Sequence, residues 1–367
     1  MFRKAKKRKP LTLSIRDRSL SFTSFGARFI FICVGVGAAA VNTGSNLLYL
    51  VVAMMLTLVL VSGILSEQTL RGLTVTRRLP EEIYAGTPFT VRYRIRNDKR
   101  RITSFAVGVA GCYPHGARGG AAFALKVTPG AESDVSAIEE AQARGPWTLS
   151  GVELTTRFPF GLFRKARRYA KEEVRLVYPK LAPLDAELLD ELARGLGDTP
   201  LPRAGRGPDI RSLREYQSHD EARLIHWRAS ARLSTLLAKE FESETRRVAT
   251  VMLDNLLPEN PDKDFGGRFE SAVSLAASAV SHIMFDLDTP VALLTRDFYV
   301  EPGQGPEPFT RMMDTLAKVQ PTTAEPPPGL LDHALDTGYS VLVVADGRVG
   351  WGGLSGRAGR VLDGGAA

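Results

Sequence analysis

The chain has 367 residues, 44% hydrophobic and 24% charged, so its composition is that of a folded protein of two or three domains. Its two cysteines exclude a disulfide framework and a cysteine-rich zinc module. Most of the net charge of +8 lies in residues 1–18, which hold eight Lys or Arg and one acid, and the near-neutral remainder argues against a protein that binds nucleic acid over its whole surface.

An uncharged stretch of 38 residues follows this basic tail, from Phe29 to Ser66. A single helix of that length would measure about 57 Å, whereas the hydrocarbon core of a bilayer is about 30 Å thick. The polar run Asn42–Asn46 is typical of a turn and divides the stretch in two. We therefore predict a transmembrane hairpin of two helices over residues 20–66, with the first helix beginning near Leu20.

Both flanks of the predicted hairpin are basic, because residues 1–19 carry the Lys/Arg cluster and Arg71, Arg77 and Arg78 follow the second helix. Lys and Arg favour the cytoplasmic side, so the tail and the body are both expected in the cytoplasm. A cleaved secretory signal is the alternative for the first apolar segment, but a second, longer one follows at once. The basic tail is expected to contact the lipid bilayer rather than nucleic acid.

Residues 67–180 show the alternation that is typical of β-strands, most clearly over Thr87–Asn97. Turn residues separate several such segments, which predicts a β-sandwich domain. The face that carries Arg92, Arg94 and Arg96 is interpreted as the solvated outer face of an edge strand. Because no aromatic side chain interleaves with these arginines, a nucleic-acid surface is disfavoured.

Residues 181–245 are predicted to connect the sandwich to a further domain. The leucine spacing predicts a helix over Leu184–Leu196, and the Gly/Pro-rich segment 197–208 is interpreted as a loop. A capping-box pattern predicts a second helix from His219 to about Leu233, and alternation predicts a strand over Leu236–Glu244.

Residues 246–346 show the order strand, helix, strand, helix, strand. The near-continuous apolar runs Val248–Asp254 and Tyr339–Ala345 are typical of buried parallel strands. This order predicts a doubly wound, Rossmann-like α/β domain. Residues 347–367 are rich in Gly and Ala and are expected to form a disordered tail.

The segment 206–244 concentrates arginine, carboxylate and aromatic side chains. Glu240, Glu242 and Glu244 alternate along one face of the predicted strand, where they would repel one another unless arginines neutralise them. Arg and Trp together are also typical of protein–protein interfaces, so a structural network and a docking surface both stay open. The interaction or structural motif comprises Arg211, Arg214, Tyr216, Asp220, Arg223, Trp227, Arg228, Arg232, Glu240 and Glu244.

A catalytic interpretation of this segment is the alternative from another functional class. Asp209, Asp220 and His226 could supply the acid and the base of a membrane-anchored hydrolase. However, no nucleophile motif, phosphate-binding loop or zinc-binding helix motif accompanies them. We therefore expect a protein that is not an enzyme and has no catalytic residues.

Several longer motifs resemble those of the bacterial domain of unknown function 58 family. The segments that carry the resemblance are Arg144-Gly145, Thr156–Phe163, Val177–Pro179, Arg211–Tyr216 and Asp220–Arg232. The family usually has glycine where this chain has His219. The resemblance implies a protein of the bacterial inner membrane that works with a MoxR-type AAA ATPase in the assembly or maturation of other protein complexes. It also implies that residues 246–346 are similar to von Willebrand factor A domains.

The metal-binding motif of von Willebrand A domains, Asp-x-Ser-x-Ser, can be checked residue by residue. The chain has Asp254 after the first α/β strand, but Leu256 and Pro258 stand where the two serines would be. Neither side chain offers an oxygen ligand to a divalent cation. We predict no metal and no cofactor here, and expect Asp254 to be a hydrogen-bond acceptor at a strand end. The sequence as a whole thus predicts a membrane-anchored scaffold or adaptor whose oligomeric state is open.

Overall fold

The computed structural model of the protein divides into two compact units, Met1–Val177 and Tyr178–Ala367. The structure describes residues 12–15, 18–114, 117–196, 203–217, 224–233, 235–243, 248–326, 329–336, 338–345, 350–351, 358 and 360–364. Their side chains are described except at 12–15, 203–214, 239–243, 333, 335, 336, 338 and 360.

The first unit contains two apolar helices, α1 (Ser24–Thr43) and α2 (Asn46–Leu70), which pack against each other. The hydroxyl of Thr23 accepts a hydrogen bond from the N–H of Gly26 at 2.9 Å and so caps the start of α1. Gly44 ends α1 with φ of +65°, which favours glycine. Both helices are long and apolar enough to cross a membrane, and most of their apolar side chains are exposed.

The rest of the first unit consists of two antiparallel sheets. The strands are β1 (Thr12–Ile15), β2 (Arg18–Phe22), β3 (Leu73–Arg78), β4 (Pro88–Asn97), β5 (Ser104–Cys112), β6 (Arg118–Val127), β7 (Glu132–Glu140), β8 (Gly145–Thr156) and β9 (Phe163–Val177). One sheet has the order β3-β4-β7 and the other β1-β2-β9-β8-β5-β6. Val91, Tyr93 and Ile95 of the first sheet share a buried core with Val109 and Leu154 of the second, as expected of a sandwich.

The prediction for the chain before α1 was wrong. Residues 18–22 were assigned to the tail and the first membrane helix, but they form β2, which pairs with β9 from Arg18↔Arg167 to Phe22↔Phe163. Serines alternate with apolar residues here, which suits a strand, and the ring of Phe22 lies 5.3 Å from that of Phe163. The second helix also extends beyond Ser66, to Leu70.

The arginine face of β4 is solvated as predicted, but β4 is not an edge strand, because it lies between β3 and β7. Its charges are matched by acidic neighbours instead. Arg94 bonds Asp134 on β7 at 2.8 Å, and Arg96 lies 3.0 Å from Asp98. The cross-strand pair of Arg94 with Asp134 and the local pair of Arg96 with Asp98 offset two of the three charges on this central strand.

The second unit is α/β. Its elements are α3 (Ala186–Leu196), β10 (Arg203–Glu215), α4 (Trp227–Leu233), β11 (Leu237–Ser243), β12 (Val248–Asp254), α5 (Phe265–Ser281), β13 (Val291–Leu294), β14 (Tyr299–Gly303), α6 (Pro306–Lys318), α7 (Leu330–Asp336), β15 (Gly338–Val344) and β16 (Arg360–Asp363). A turn of π-helix over His282–Asp286 follows α5. β10 and β11 form an antiparallel ribbon.

The five-stranded sheet of this unit has the order β14-β13-β12-β15-β16. β12 pairs in parallel with β13 on one side and β15 on the other, and β14 is an antiparallel edge strand. α5 contacts β12 and β15, while Ala334 of α7 packs against Met252 and Leu342. The predicted parallel α/β sheet is therefore present, with β12 at the point where the strand order reverses.

Three local predictions for this unit differ from the structure. The segment 203–208, interpreted as a loop, belongs to β10, whereas residues 197–202 lie outside the described part. Within the helix predicted from His219 to about Leu233, α4 covers Trp227–Leu233 and Ile225 pairs instead with Ala238 of β11, whereas residues 218–223 lie outside the described part. Part of the predicted disordered tail is strand β16, whose Val361 and Leu362 extend the sheet beside β15.

Candidate functional site

A buried ion pair lies at the carboxyl end of β12, where open α/β sheets commonly bind ligands. The side chain of Asp254 is 2% exposed, and its Oδ1 lies 2.6 Å from Nε of Arg296, which is itself 7% exposed. The same Oδ1 accepts a hydrogen bond from the N–H of Leu256 at 3.3 Å, and Oδ2 accepts one from the N–H of Trp351. As predicted, Asp254 is a hydrogen-bond acceptor at a strand end.

The Arg296 guanidinium is held in place on several sides. Nη1 donates to the carbonyl of Ala324 at 3.2 Å, and the guanidinium carbon lies 5.1 Å from the centre of the Trp351 ring. Asn255, which is fully buried, accepts a hydrogen bond from the Arg296 N–H at 2.9 Å and donates to the carbonyl of Gln320 at 2.8 Å. We call Asp254, Asn255, Arg296 and Trp351 the sheet-end cluster.

Gly350 makes the close approach of the chain to this cluster possible. A Cβ atom at this position would lie 2.2 Å from Oδ2 of Asp254, and the φ of Gly350 is +72°. Both facts favour glycine. The cluster thus neutralises the Asp254 carboxylate with a guanidinium, and a cation that bound Asp254 would have to displace a buried arginine.

The second candidate site is formed by α4 and the residues on either side of it. The backbone N–H of His226 donates to the carbonyl of Leu237 at 2.8 Å, and its Nδ1 accepts from the N–H of Ala229 at 3.1 Å. The hydroxyl of Ser230 accepts from the N–H of Leu237 at 2.9 Å. These bonds fix one side of α4 to β11, and they give the imidazole of His226 a capping role.

The outward side of this segment is unusually apolar for a solvated surface. The side chain of Trp227 is 66% exposed, and Leu233 and Leu236 are exposed as well. Arg228 and Arg232 are exposed and stand four residues apart on the helix. We call these five residues the α4 surface. An exposed tryptophan close in the chain to exposed leucines and arginines has the composition of a protein-binding hot spot.

The other motif residues can be placed only in part. Tyr216 is half-buried, and its N–H donates to the carbonyl of Leu236 at 2.8 Å. The ribbon of β10 and β11 contains the backbones of Arg211, Arg214 and Glu240. Its register pairs Ser212 with Glu240 and Arg214 with Ala238. The side chains of these three motif residues lie outside the described part. The same holds for the side chain of Asp209, and Asp220, Arg223 and Glu244 lie outside the described residues.

The sequence did not identify Arg296, Asn255 or Trp351 as site residues. A signal for two of them exists, because Asp254 and Asn255 end one apolar strand and Arg296 follows the next. The carboxyl ends of neighbouring parallel strands meet at one edge of a sheet, so an acid and a base in these places are expected to pair. Trp351 comes from a glycine-rich segment that gave no such signal.

The sandwich of the first unit also holds a buried polar pair. The Tyr93 hydroxyl donates to Oε1 of Glu139 at 3.0 Å, and the Glu139 side chain is almost wholly buried. Arg77 pairs with Glu173 at 2.9 Å. Burial is the largest influence on the Glu139 carboxyl, and it raises the pKa of this group above its ordinary value.

The α4 surface and three of the four residues of the sheet-end cluster, Asp254, Asn255 and Arg296, lie in a stretch that matches a known family. A protein-family model described as "Protein of unknown function DUF58" matches residues 212–341. An uncharacterised protein of Bacillus subtilis, YeaD, is 24% identical over 279 residues, which cover 73% of this chain and 68% of that protein. The match to the family model supports the resemblance seen in the motifs between Arg211 and Arg232.

Two solved structures show weak similarity to this chain. The CARDB domain of a Pyrococcus furiosus protein, crystallised with two metal ions, is 12% identical, with a TM-score of 0.19, and the match covers 27% of this chain and 85% of that one. A Bacteroides uniformis β-glucuronidase is 13% identical, with a TM-score of 0.18, over 79% of this chain and 35% of that one. Scores this low carry no argument about fold or function.

Proposed function

We propose that this protein is a non-enzymatic, membrane-anchored adaptor that binds a partner protein through the α4 surface. The observation that carries the proposal is the exposure of Trp227, 66% of whose side chain is open to solvent on a helix that is fixed to β11 from the other side. Tryptophan and arginine dominate the binding energy of many interfaces. A partner that fits would offer an apolar pocket for Trp227 and carboxylates for Arg228 and Arg232.

The proposed anchor is the pair α1 and α2. Their exposed apolar side chains would be costly in water and are suited to lipid. β2 precedes α1 and pairs with β9, which follows α2. The chain therefore enters and leaves the proposed bilayer beside the same sheet, so the two helices have to form a hairpin. The basic flanks favour the cytoplasm for that side. The bacterial inner membrane is proposed from the resemblance to the domain of unknown function 58 family.

The absence of catalysis in this proposal is supported by the two candidate sites. The likeness to a von Willebrand A domain that we propose for residues 246–346 would put ligand binding at the carboxyl end of β12. There, Arg296 already neutralises Asp254. In the described part of the chain, no group of three or more His, Cys, Asp or Glu side chains could hold a metal ion.

The partner that we propose is a MoxR-type AAA ATPase, and the process is the assembly or maturation of other protein complexes. This assignment rests on the resemblance to the domain of unknown function 58 family. The proposed binding of this ATPase can be tested by substitutions in the α4 surface.

The test is affinity capture of the full-length protein from native membranes after crosslinking, with Trp227→Ala as the variant. Loss of a hot-spot tryptophan costs about 2 kcal/mol or more, so capture of the ATPase should fall about 30-fold. Phe298→Ala is the matched control, because Phe298 is an exposed aromatic residue of the same unit, 52% exposed, outside the α4 surface. Undiminished capture by Trp227→Ala, or hydrolytic activity that depends on His226, would contradict the proposal.

A further inference from the structure

A pocket of about 310 Å³ lies in the first unit where the end of α2 meets β2 and β9. The side chains that give it its chemistry are those of Arg18, Glu67, Leu70, Arg71, Lys165 and Arg167. Four cationic groups thus surround one carboxylate, and most of the remaining lining is apolar. A pocket with this excess of positive charge is suited to an anionic ligand.

The single carboxylate in the pocket is already bound by two of the four cations. Nη1 of Arg18 lies 3.0 Å from Oε1 of Glu67, and Nζ of Lys165 lies 3.1 Å from Oε2. Lys165 also donates to the carbonyl of Gly63 at 2.8 Å, which fixes β9 to α2. These contacts give the pocket a defined wall.

The other two cations, Arg71 and Arg167, form no ion pair with a carboxylate in the described part of the chain. The guanidinium carbon of Arg167 lies 5.1 Å from the centre of the Tyr169 ring, which orients it without neutralising it. Arg71 is exposed at the end of α2. Two arginines held apart from acids provide the forked donors that bind phosphate oxygens.

The position of the pocket along α2 indicates which kind of phosphate group it would contact. The uncharged part of α2 runs from Asn46 to Ser66, which at 1.5 Å per residue is about 30 Å, the thickness of the hydrocarbon core. Glu67 and Arg71 therefore fall at the level of the lipid headgroups. Immediately before them, Leu60 and Ile64 of α2 expose apolar side chains.

We propose that this pocket binds the phosphate of an anionic phospholipid, with Arg71 and Arg167 as the phosphate ligands and the acyl chains lying along α2. The inference rests on the proposed membrane anchor. It goes beyond the general attraction of basic residues to a negative membrane surface, because it assigns one lipid to one walled pocket.

The test uses the full-length protein in mild detergent, titrated with phosphatidylglycerol and, separately, with phosphatidylcholine, and the bound lipids are counted by native mass spectrometry. In Arg71→Gln/Arg167→Gln, phosphatidylglycerol should bind about 25-fold more weakly, because each basic side chain near an anionic surface contributes about five-fold. The control Arg78→Gln/Arg92→Gln removes the same charge from two exposed arginines outside the pocket and should bind like the wild type.

Several outcomes would overturn this proposal. Equal losses in the two double variants would mean unspecific charge attraction, and equal binding of phosphatidylcholine would mean that the phosphate site is not selective for anionic lipid. Displacement of phosphatidylglycerol by millimolar inorganic phosphate would assign the pocket to a free anion. Carbonate extraction tests the membrane anchor separately from the lipid site. Release of the wild-type protein from membranes would refute both the anchor and the lipid site. Retention of the protein, together with unchanged lipid binding in Arg71→Gln/Arg167→Gln, would refute the lipid site alone.

Discussion

Replacing Arg296 by methionine would test whether the sheet-end cluster is a structural ion pair. Methionine keeps much of the aliphatic volume but leaves the Asp254 carboxylate without its guanidinium. Since both side chains are less than a tenth exposed, the charge that stays behind cannot reach water without local opening. Removal of one partner from a buried pair typically costs about 3–5 kcal/mol, a large share of the stability of a domain.

The assay is denaturant unfolding of the full-length protein in detergent, followed by circular dichroism and tryptophan fluorescence. The unfolding transition that contains the second unit should shift by about 3–5 kcal/mol in Arg296→Met. The guanidinium lies 5.1 Å from the Trp351 ring, so the fluorescence of the folded state should change as well.

The double variant Asp254→Asn/Arg296→Met is the matched control. It removes both charges and keeps one amide oxygen, which can accept the N–H of Leu256 or that of Trp351 but not both. It should therefore recover part of the stability lost in Arg296→Met. If Arg296→Met were as stable as the wild type, or the double variant as unstable as Arg296→Met, the assignment of a charge-paired cluster would be refuted.

Three further predictions follow from the described residues. Gly350→Ala should destabilise the second unit by more than about 1 kcal/mol, because the added Cβ would overlap Oδ2 of Asp254. The control Gly266→Ala, which has open space around it in α5, should be neutral or stabilising. Equal melting temperatures of the two variants would contradict this prediction. Since burial raises the pKa of Glu139, the folded state keeps a proton that the unfolded state releases. Stability should therefore fall as pH rises from the ordinary value of 4.5 through the raised one. Melting curves of Glu139→Gln should lack this fall, and an unchanged pH slope would count against the buried pair. A cysteine at the exposed position Arg92 should react with an impermeant maleimide only after cells are opened, and labelling of intact cells would reverse the proposed orientation.

Much of the fold could be predicted because its elements have strong periodicity. The apolar helices and the buried strands Val248–Asp254 and Gly338–Val344 follow directly from the pattern of side chains. β2 was missed because the sequence of its five residues does not separate them from the long apolar helix that follows, and their partner strand β9 lies far along the chain. The sequence pattern placed Ile225 in a helix for a similar reason, since its pairing with Ala238 is a tertiary contact that local propensity does not reveal.

The candidate sites could be predicted less well, for physical reasons. Asp254 and Arg296 are 42 positions apart and meet only because their strands are neighbours. Trp227 was singled out from composition alone, but its exposure depends on how Ser230 and His226 fix α4 to β11. Composition identifies residues that are able to act, and tertiary contacts decide which of them face solvent.

The pairing of β2 with β9 imposes an order on biogenesis. Phe22 and its partner Phe163 are 141 positions apart, so β2 emerges from the ribosome and must wait while both apolar helices and most of the sandwich are synthesised. Until then β2 lacks its partner β9 and has unpaired backbone groups on that side. With α1 and α2 inserted as proposed, a chain whose N-terminus was translocated to the other face could not supply β2 to this sheet. Completion of this sheet would therefore distinguish correctly inserted molecules from misinserted ones, and only the latter would present an open edge to proteases and chaperones.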